Sequence, residues 1–304
     1  MLWFAKNAAP RRGPGPAGNR SRLSGVIVCA IVASVIVVSG CSATRLLYEN
    51  LDWIAYQALD ERFDIRADQA EAVESRLHAL HGWHRETQLP LYRQTLQATA
   101  VRFADGLDLA DLHWLEQRIE QHRLALAERL IPDLAGFLAD LDPEQVARYE
   151  NVSAEGLAEA AEPLALEDEA RTAQRLDAYL ERIEPWTGSL TGRQRDALTA
   201  RVADQPDLRP AWLALRQARR DALLAELRRE RGARPIADLL RGWWLDLETG
   251  YPRDYAVARR ASLEHLYETL VDLDGRLEPG QRERVLERLA DYRSAVETVL
   301  AARD

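Results

Sequence analysis

The chain has 304 residues with 40 basic and 49 acidic side chains, for a formal charge of −9. That acidic balance excludes wholesale nucleic-acid binding and electrostatic adhesion to an anionic lipid surface, both of which need clustered positive charge. Only two cysteines are present, Cys29 and Cys41, and neither is expected to be free for a disulfide, so stability has to come from packing.

Residues 1–22 carry Lys6, Arg11, Arg12, Arg20 and Arg22 with no acid. An apolar run from Val26 to Val38 follows, shorter than the roughly 20 apolar residues that span a bilayer but suited to the core of a signal peptide. It ends in Val38-Ser39-Gly40-Cys41, which looks like a lipobox: an aliphatic residue, two small residues, then a cysteine whose thiol takes a diacylglyceryl group. Residues 1–40 are therefore expected to be a lipoprotein signal peptide that is removed, leaving 35 basic against 49 acidic groups, a formal charge of −14. A covalent lipid on Cys41 is the only prosthetic group expected, with no other cofactor and no metal. Each acyl methylene contributes about 0.8 kcal/mol, so two or three chains anchor stably. The competing reading is an uncleaved anchor helix, since 23–44 contains no charge. By analogy with lipoprotein sorting, Ser42 in place of an Asp favours the periplasmic face of the outer membrane over the inner membrane.

Beyond Cys41, apolar residues recur at three- and four-residue steps and no period-two alternation is sustained. The fold class expected is all-α, an elongated bundle of about ten helices, several long and kinked at proline. Helices are predicted over 44–62, 67–103, 109–138, 143–157, 166–184, 193–203, 210–231, 235–248, 254–273 and 279–302, with kinks at Pro90 and Pro132. Residues 41–44 form a short lipidated tether, and 45–304 a helical periplasmic domain with room for two subdomains meeting near 186–192. With so short a tether, roughly 10 Å when extended, the domain should lie against the bilayer through the end carrying Leu46, Leu47, Trp53 and Tyr56.

One small motif recurs: Ile65-Arg66-Ala67-Asp68-Gln69, Leu141-Asp142-Pro143-Glu144-Gln145, Leu190-Thr191-Gly192-Arg193-Gln194 and Leu277-Glu278-Pro279-Gly280-Gln281. Asp142 or Thr191 reads as an N-cap and Gln145 or Gln194 as its capping-box partner, with Pro143 and Pro279 preset for a first turn. The spacing is uneven, so these are recurrent helix openings and not a solenoid of fixed period.

Several stretches together resemble an uncharacterised family of helical lipoproteins from Gram-negative proteobacteria. They are Leu51-Asp52-Trp53 with Tyr56; Trp83-His84-Arg85 running into Gln88-Leu89-Pro90 and Tyr92; Trp186-Thr187-Gly188-Ser189-Leu190-Thr191 with Gln194; and Trp212-Leu213 followed by Arg216 and Arg219. The resemblance implies location and fold and carries no activity. The Leu-Thr-x-x-Gln openings also resemble those of small periplasmic helical chaperones, although capping boxes arise wherever helices start.

Side chains that could carry chemistry are few. His78, His81 and His84 step by three along one helix, but a zinc site usually draws ligands from more than one element, so polar-face histidines are the simpler reading. His122 lies on an apolar stripe, and His113 and His265 stand alone. No Gly-x-Ser-x-Gly, His-Glu-x-x-His or phosphate-cradling glycine loop occurs. Charge is more informative: 141–185 holds 12 acids and 4 arginines, and 209–241 holds 9 arginines and 4 acids. The two segments could clasp each other within the fold. Alternatively Arg216, Arg219, Arg220, Arg228 and Arg229 form a site for an anionic envelope component. Trp243-Trp244 is the densest aromatic pair, as core or as a partner surface. The leading expectation is a membrane-anchored, noncatalytic lipoprotein that binds or scaffolds envelope proteins, with no nucleic acid and no small-molecule substrate. A periplasmic holdase and an enzyme with an unrecognised site are the alternatives, and the absence of Met after the signal speaks against adaptable client grooves.

Overall fold

The computed structural model describes residues 41–229, 232–246 and 250–302, and is all-helical. The expected signal peptide and lipobox residues 38–40 lie outside the described residues. The elements are α1 (Cys41–Glu49), α2 (Leu51–Phe63), α3 (Ala67–Trp83), a π-helical turn (His84–Gln88), α4 (Leu89–Phe103), α5 (Leu109–Ala139), α6 (Pro143–Ala161), a 3₁₀ turn (Glu162–Ala165), α7 (Asp168–Thr187), α8 (Gly192–Asp204), α9 (Arg209–Leu227), α10 (Ala233–Trp244), α11 (Arg253–Asp274) and α12 (Pro279–Ala301).

Two departures from the predicted elements have local causes. The first predicted helix starts earlier, at Cys41, and is interrupted at Asn50, whose ψ of 16° takes it out of helical geometry. The long second helix is divided by the π turn. Pro90 has no N–H and its ring would press on the carbonyl four residues back. The chain absorbs this just upstream of the proline by widening one turn, so that Leu89 N–H bonds His84 O. Pro132 sits inside α5 without dividing it.

The largest core joins α2, α3, α5, α6, α9 and α10 through Phe63, Leu77, Ile131, Phe137, Val146, Leu223, Leu227, Ile236 and Leu240. A second cluster sets Tyr48 of α1 and Leu89 of α4 against Val296 and Val299 of α12. A third gathers Tyr179 of α7, Leu198 and Val202 of α8 and Leu273 of α11. Among inter-helix contacts the most extensive are α5 along α10 and α4 along α12.

The recurrent helix openings meet in pairs. Gln69 and Gln145 exchange amide hydrogen bonds of 3.2 and 2.8 Å, and each also donates to the turn before the other, Gln69 to Asp140 O at 3.2 Å and Gln145 to Asp64 O at 3.0 Å. Gln194 and Gln281 repeat the arrangement at 2.7 and 3.2 Å, with donations to Arg276 O at 2.7 Å and Ser189 O at 3.2 Å. In all four cases the accepting carbonyl lies five residues before the partner glutamine. Each glutamine oxygen also accepts its own cap N–H, from Arg66, Asp142, Thr191 and Glu278. The helices correspond as well: α2 packs on α3 and α6, and α3 on α5, as α7 packs on α8 and α12, and α8 on α11. The described chain thus contains the same paired-hairpin unit twice, with α4, α9 and α10 filling the space between and around.

Candidate functional site

The first place where polar chemistry concentrates is the π turn. His84 is 3% exposed. Its Nδ1 lies 2.9 Å from the hydroxyl of Tyr48 and its Nε2 3.3 Å from that of Tyr92, so one ring nitrogen donates and the other accepts in the neutral form. Tyr92 meets His122 edge-on at 4.6 Å, and His122 Nε2 lies 3.0 Å from Thr95 Oγ1. Burial pushes His84 down to about 4, with smaller contributions from His81 and His122. Burial also holds the Tyr48 phenol above its ordinary range. Arg85, next in the turn, donates to Val299 O at 3.0 Å and to Ala302 O, fastening the end of α12. The Trp83-His84-Arg85 stretch is therefore a joint between the helix that begins at Cys41 and the last helix.

The three stepped histidines diverge. His78 is exposed and pairs with Asp52 at 3.4 Å, His81 lies against the Tyr48 ring at 4.8 Å, and His84 points inward. Among the described residues no group of three or more His, Cys, Asp or Glu side chains converges as a metal would require. His113 lies 3.4 Å from Glu264, and His265 reaches Arg201 O at 2.7 Å.

The second concentration is the arginine segment. Arg216 stacks over the Trp212 ring at 4.7 Å, and burial lowers its pKa, with Tyr149 opposing and Arg62 assisting. Arg219 turns the other way, between the rings of Trp243 at 5.6 Å and Tyr251 at 5.1 Å, and reaches Trp243 O and Gly250 O. Arg220 crosses to α6, donating to Ser153 Oγ at 2.7 Å and Glu150 O at 2.8 Å, with Asp221 3.0 Å away. Arg228 pairs with Glu150, and Arg229 with Glu226 at 2.6 Å. Arg216 and Arg220 thus share one face of α9, Arg219 faces a separate aromatic cluster, and Arg228 and Arg229 lie exposed beyond them.

Two residues outside the expected set join Arg216 and Arg220. Tyr149 of α6 stacks on Phe63 at 5.2 Å, which brings it beside Arg62, the neighbour of Phe63 on α2. Burial raises the Tyr149 phenol, and Arg220, Arg62 and Arg216 all pull it back, so three cations act on one hydroxyl. No spacing in the sequence links Arg62, Tyr149 and Arg216; only packing of α2, α6 and α9 does. The clasp expected between acidic and basic segments is realised at the α6–α9 contact by Arg228 with Glu150, while Glu155, Glu159, Glu167 and Glu169 stay exposed.

At the membrane-facing end proposed from sequence, Leu46 and Trp53 are 66% and 60% exposed. Leu47 packs instead on the Tyr48 and Val296 cluster, and Tyr56 on the main core. Trp243 and Trp244 are half-buried on the main core, with Arg123 donating to Trp244 O. No described helix is long and apolar enough to cross a membrane.

These features define an all-helical protein of repeated, glutamine-clasped hairpins, with a buried histidine joint and a basic face on α9. The chain belongs to a family of unknown function, DUF6279, whose model matches residues 61–256. That span includes His84 and Tyr92, Tyr149 and the α9 arginines, and the first three of the four clasp glutamines, while Tyr48 and α12, which complete the His84 joint, lie outside it. No curated protein and no solved structure matches the chain.

Proposed function

We propose that the protein is a lipoprotein, anchored through acylated Cys41 at the periplasmic face of the outer membrane, that works without catalysis by binding or scaffolding envelope proteins. The observation that carries this reading is the geometry of α1. The helix begins at Cys41, leaves Leu46 outward, as α2 leaves Trp53, and is locked to the body by Tyr48 on His84. An acyl anchor on Cys41 would therefore sit on a fixed handle with an apolar flank, and the body would rest on the bilayer instead of swinging from a leash. The lipobox-like Val38-Ser39-Gly40-Cys41 supports the same reading.

The α9 face with Arg216 and Arg220, with Arg228 and Arg229 beyond it, is the site proposed for an anionic envelope partner, and Arg219, turned toward Trp243 and Tyr251, lies outside it. The joint test is fractionation and radiolabelled-palmitate incorporation for wild type and Cys41→Ser, combined with crosslinking mass spectrometry in intact cells. Loss of label and of membrane fractionation in Cys41→Ser, with a small set of stoichiometric crosslinks in wild type, is expected. A membrane-bound, unlabelled Cys41→Ser chain would replace the lipid anchor with an uncleaved helix, and promiscuous suppression of aggregation would replace scaffolding with a holdase role.

A further inference from the structure

The two glutamine-clasped units exchange a helix. α4 and α9 each follow the first clasp helix of their own unit, and each packs on the last helix of the other unit, α4 on α12 and α9 on α6. The first of these pairs is covered: α1, a helix of 9 residues, lies on it with Leu47 and Tyr48 against Leu89 of α4 and Val296 and Val299 of α12. The second pair is left open along an apolar groove. Ala154, Leu157, Ala158 and Ala161 of α6 form one wall and Leu213 and Gln217 of α9 the other, around a space of about 350 Å³. From Ala154 to Ala161 the groove runs about 10 Å at 1.5 Å per residue, or two turns of helix.

Charge fixes the kind of helix that fits. Successive residues of α6 are turned by about 100°. Ser153, one residue before Ala154, faces α9, where its hydroxyl accepts from Arg220 Nε at 2.7 Å. Glu155, one residue after Ala154, is turned the other way, and Glu159 and Glu162 repeat its position beside Ala158 and Ala161. All three glutamates are exposed, and among the described residues none has an ion-pair partner. Arg220, the cation that lines the groove, is already engaged by Ser153, by Glu150 O and by Asp221. Apolar walls bordered by an uncompensated acidic row are the complement of a helix that is apolar on one face and basic along one flank.

We propose that this groove docks a two-turn amphipathic helix of a partner protein, its apolar face on Ala154, Ala158 and Ala161 and its Lys or Arg flank beside Glu155, Glu159 and Glu162. The docked helix lies on α6 and α9 as α1 lies on α12 and α4. Alanine at three contact positions lets the helix axes approach to about 8 Å, so short apolar side chains on the partner fill the space. The site goes beyond the basic-face reading, because it takes a cationic partner, meets different side chains and depends on neither Arg216 nor Cys41.

The experiment is fluorescence anisotropy of three short labelled peptides titrated with the full chain, held in nanodiscs of neutral phosphatidylcholine with empty discs subtracted. The first peptide has Leu and Ala at helical spacing with Arg along one flank, the second has Glu in place of Arg, and the third is the first with its order scrambled to lose the period. The first is expected to bind one per chain, at least about tenfold tighter than either of the others. Ala158→Arg should reduce it to the level of the scrambled peptide. Glu155→Gln with Glu159→Gln and Glu162→Gln should weaken it about tenfold, the sum of three exposed ion pairs, and flatten its salt dependence. Both variants should keep the wild-type circular dichroism, since all four positions are exposed. Equal binding of the acidic peptide would leave a plain apolar groove, and equal binding of the scrambled peptide a plain acidic surface; each overturns the proposal. So does failure of the first peptide to bind, or its unchanged affinity for either variant. A chain that dimerises, and loses the dimer in Ala158→Arg, would make the occupant a second copy and overturn the proposal as well.

Discussion

Replacing Gln194 with alanine is a direct test of whether the glutamine clasps hold the bundle together. Gln194 is 3% exposed, and its amide makes four hydrogen bonds: it accepts from Thr191 N–H and Gln281 Nε2, and donates to Arg276 O and Gln281 Oε1. With a net value near 1 kcal/mol for each, and partners left dry instead of hydrated, Gln194→Ala should cost about 3 to 4 kcal/mol. Gln281→Ala removes two of the same bonds, so a double-mutant cycle over Gln194 and Gln281 should return a coupling of about 2 kcal/mol. Gln145 belongs to the other clasp and shares no partner with Gln194, so that pair should be additive within about 0.5 kcal/mol. Urea unfolding followed by circular dichroism measures all of these. A Gln194→Ala cost below about 1 kcal/mol, or a coupling within error of zero, would refute the claim that the clasp is a cooperative unit and leave four independent capping boxes.

Two further outcomes follow from the α1 end. His84 titrates at 6.5 when exposed and near 4 in the fold, so the unfolded chain binds more protons between those values. Its contribution is complete above about pH 6.5 and is lost as pH falls toward 4, by about 3 kcal/mol at most. His84→Phe should flatten the dependence of the urea midpoint in that window, and an unchanged slope would show that other groups set it. At the bilayer, Trp53→Gln should sharply reduce quenching of tryptophan fluorescence by brominated lipid in vesicle-anchored chain while changing stability by less than about 0.5 kcal/mol. Unaltered quenching would mean that Trp53 faces away from the membrane.

Much of the helical layout was written locally. Asp142 followed by Pro143 and Gln145, and Thr191 followed by Gln194, mark helix starts because a cap and its partner three residues on satisfy backbone N–H groups within one turn. The pairing of those starts was not legible, since Gln69 finds Gln145 and Gln194 finds Gln281 only after whole hairpins have packed. Pro90 announced a disturbance, but whether a proline kinks a helix or widens it into a π turn depends on what receives the displaced side chains, here His84 between Tyr48 and Tyr92. The arginines of α9 stood out by composition, yet their division into Arg219 between Trp243 and Tyr251, Arg216 over Trp212 and Arg220 reaching across to α6 is set by packing against α6 and α10. Arg62 and Tyr149 carried no signal at all, because each is an unremarkable member of its own helix until Phe63 stacks on Tyr149.

Both fasteners in this fold are amides. At each clasp two helix N-termini meet, each carrying partial positive charge, and a carboxylate in the glutamine's place would have met its counterpart as a like charge. A neutral side chain that both gives and takes a hydrogen bond joins the turns and offers dissolved salt nothing to screen, even where, at the first clasp, an Arg66–Asp142 ion pair lies beside it. Surface pairs such as Arg228 with Glu150, and Arg66 with Asp142 beside the first clasp, will loosen as ionic strength rises, whereas the reciprocal glutamine amide bonds will not.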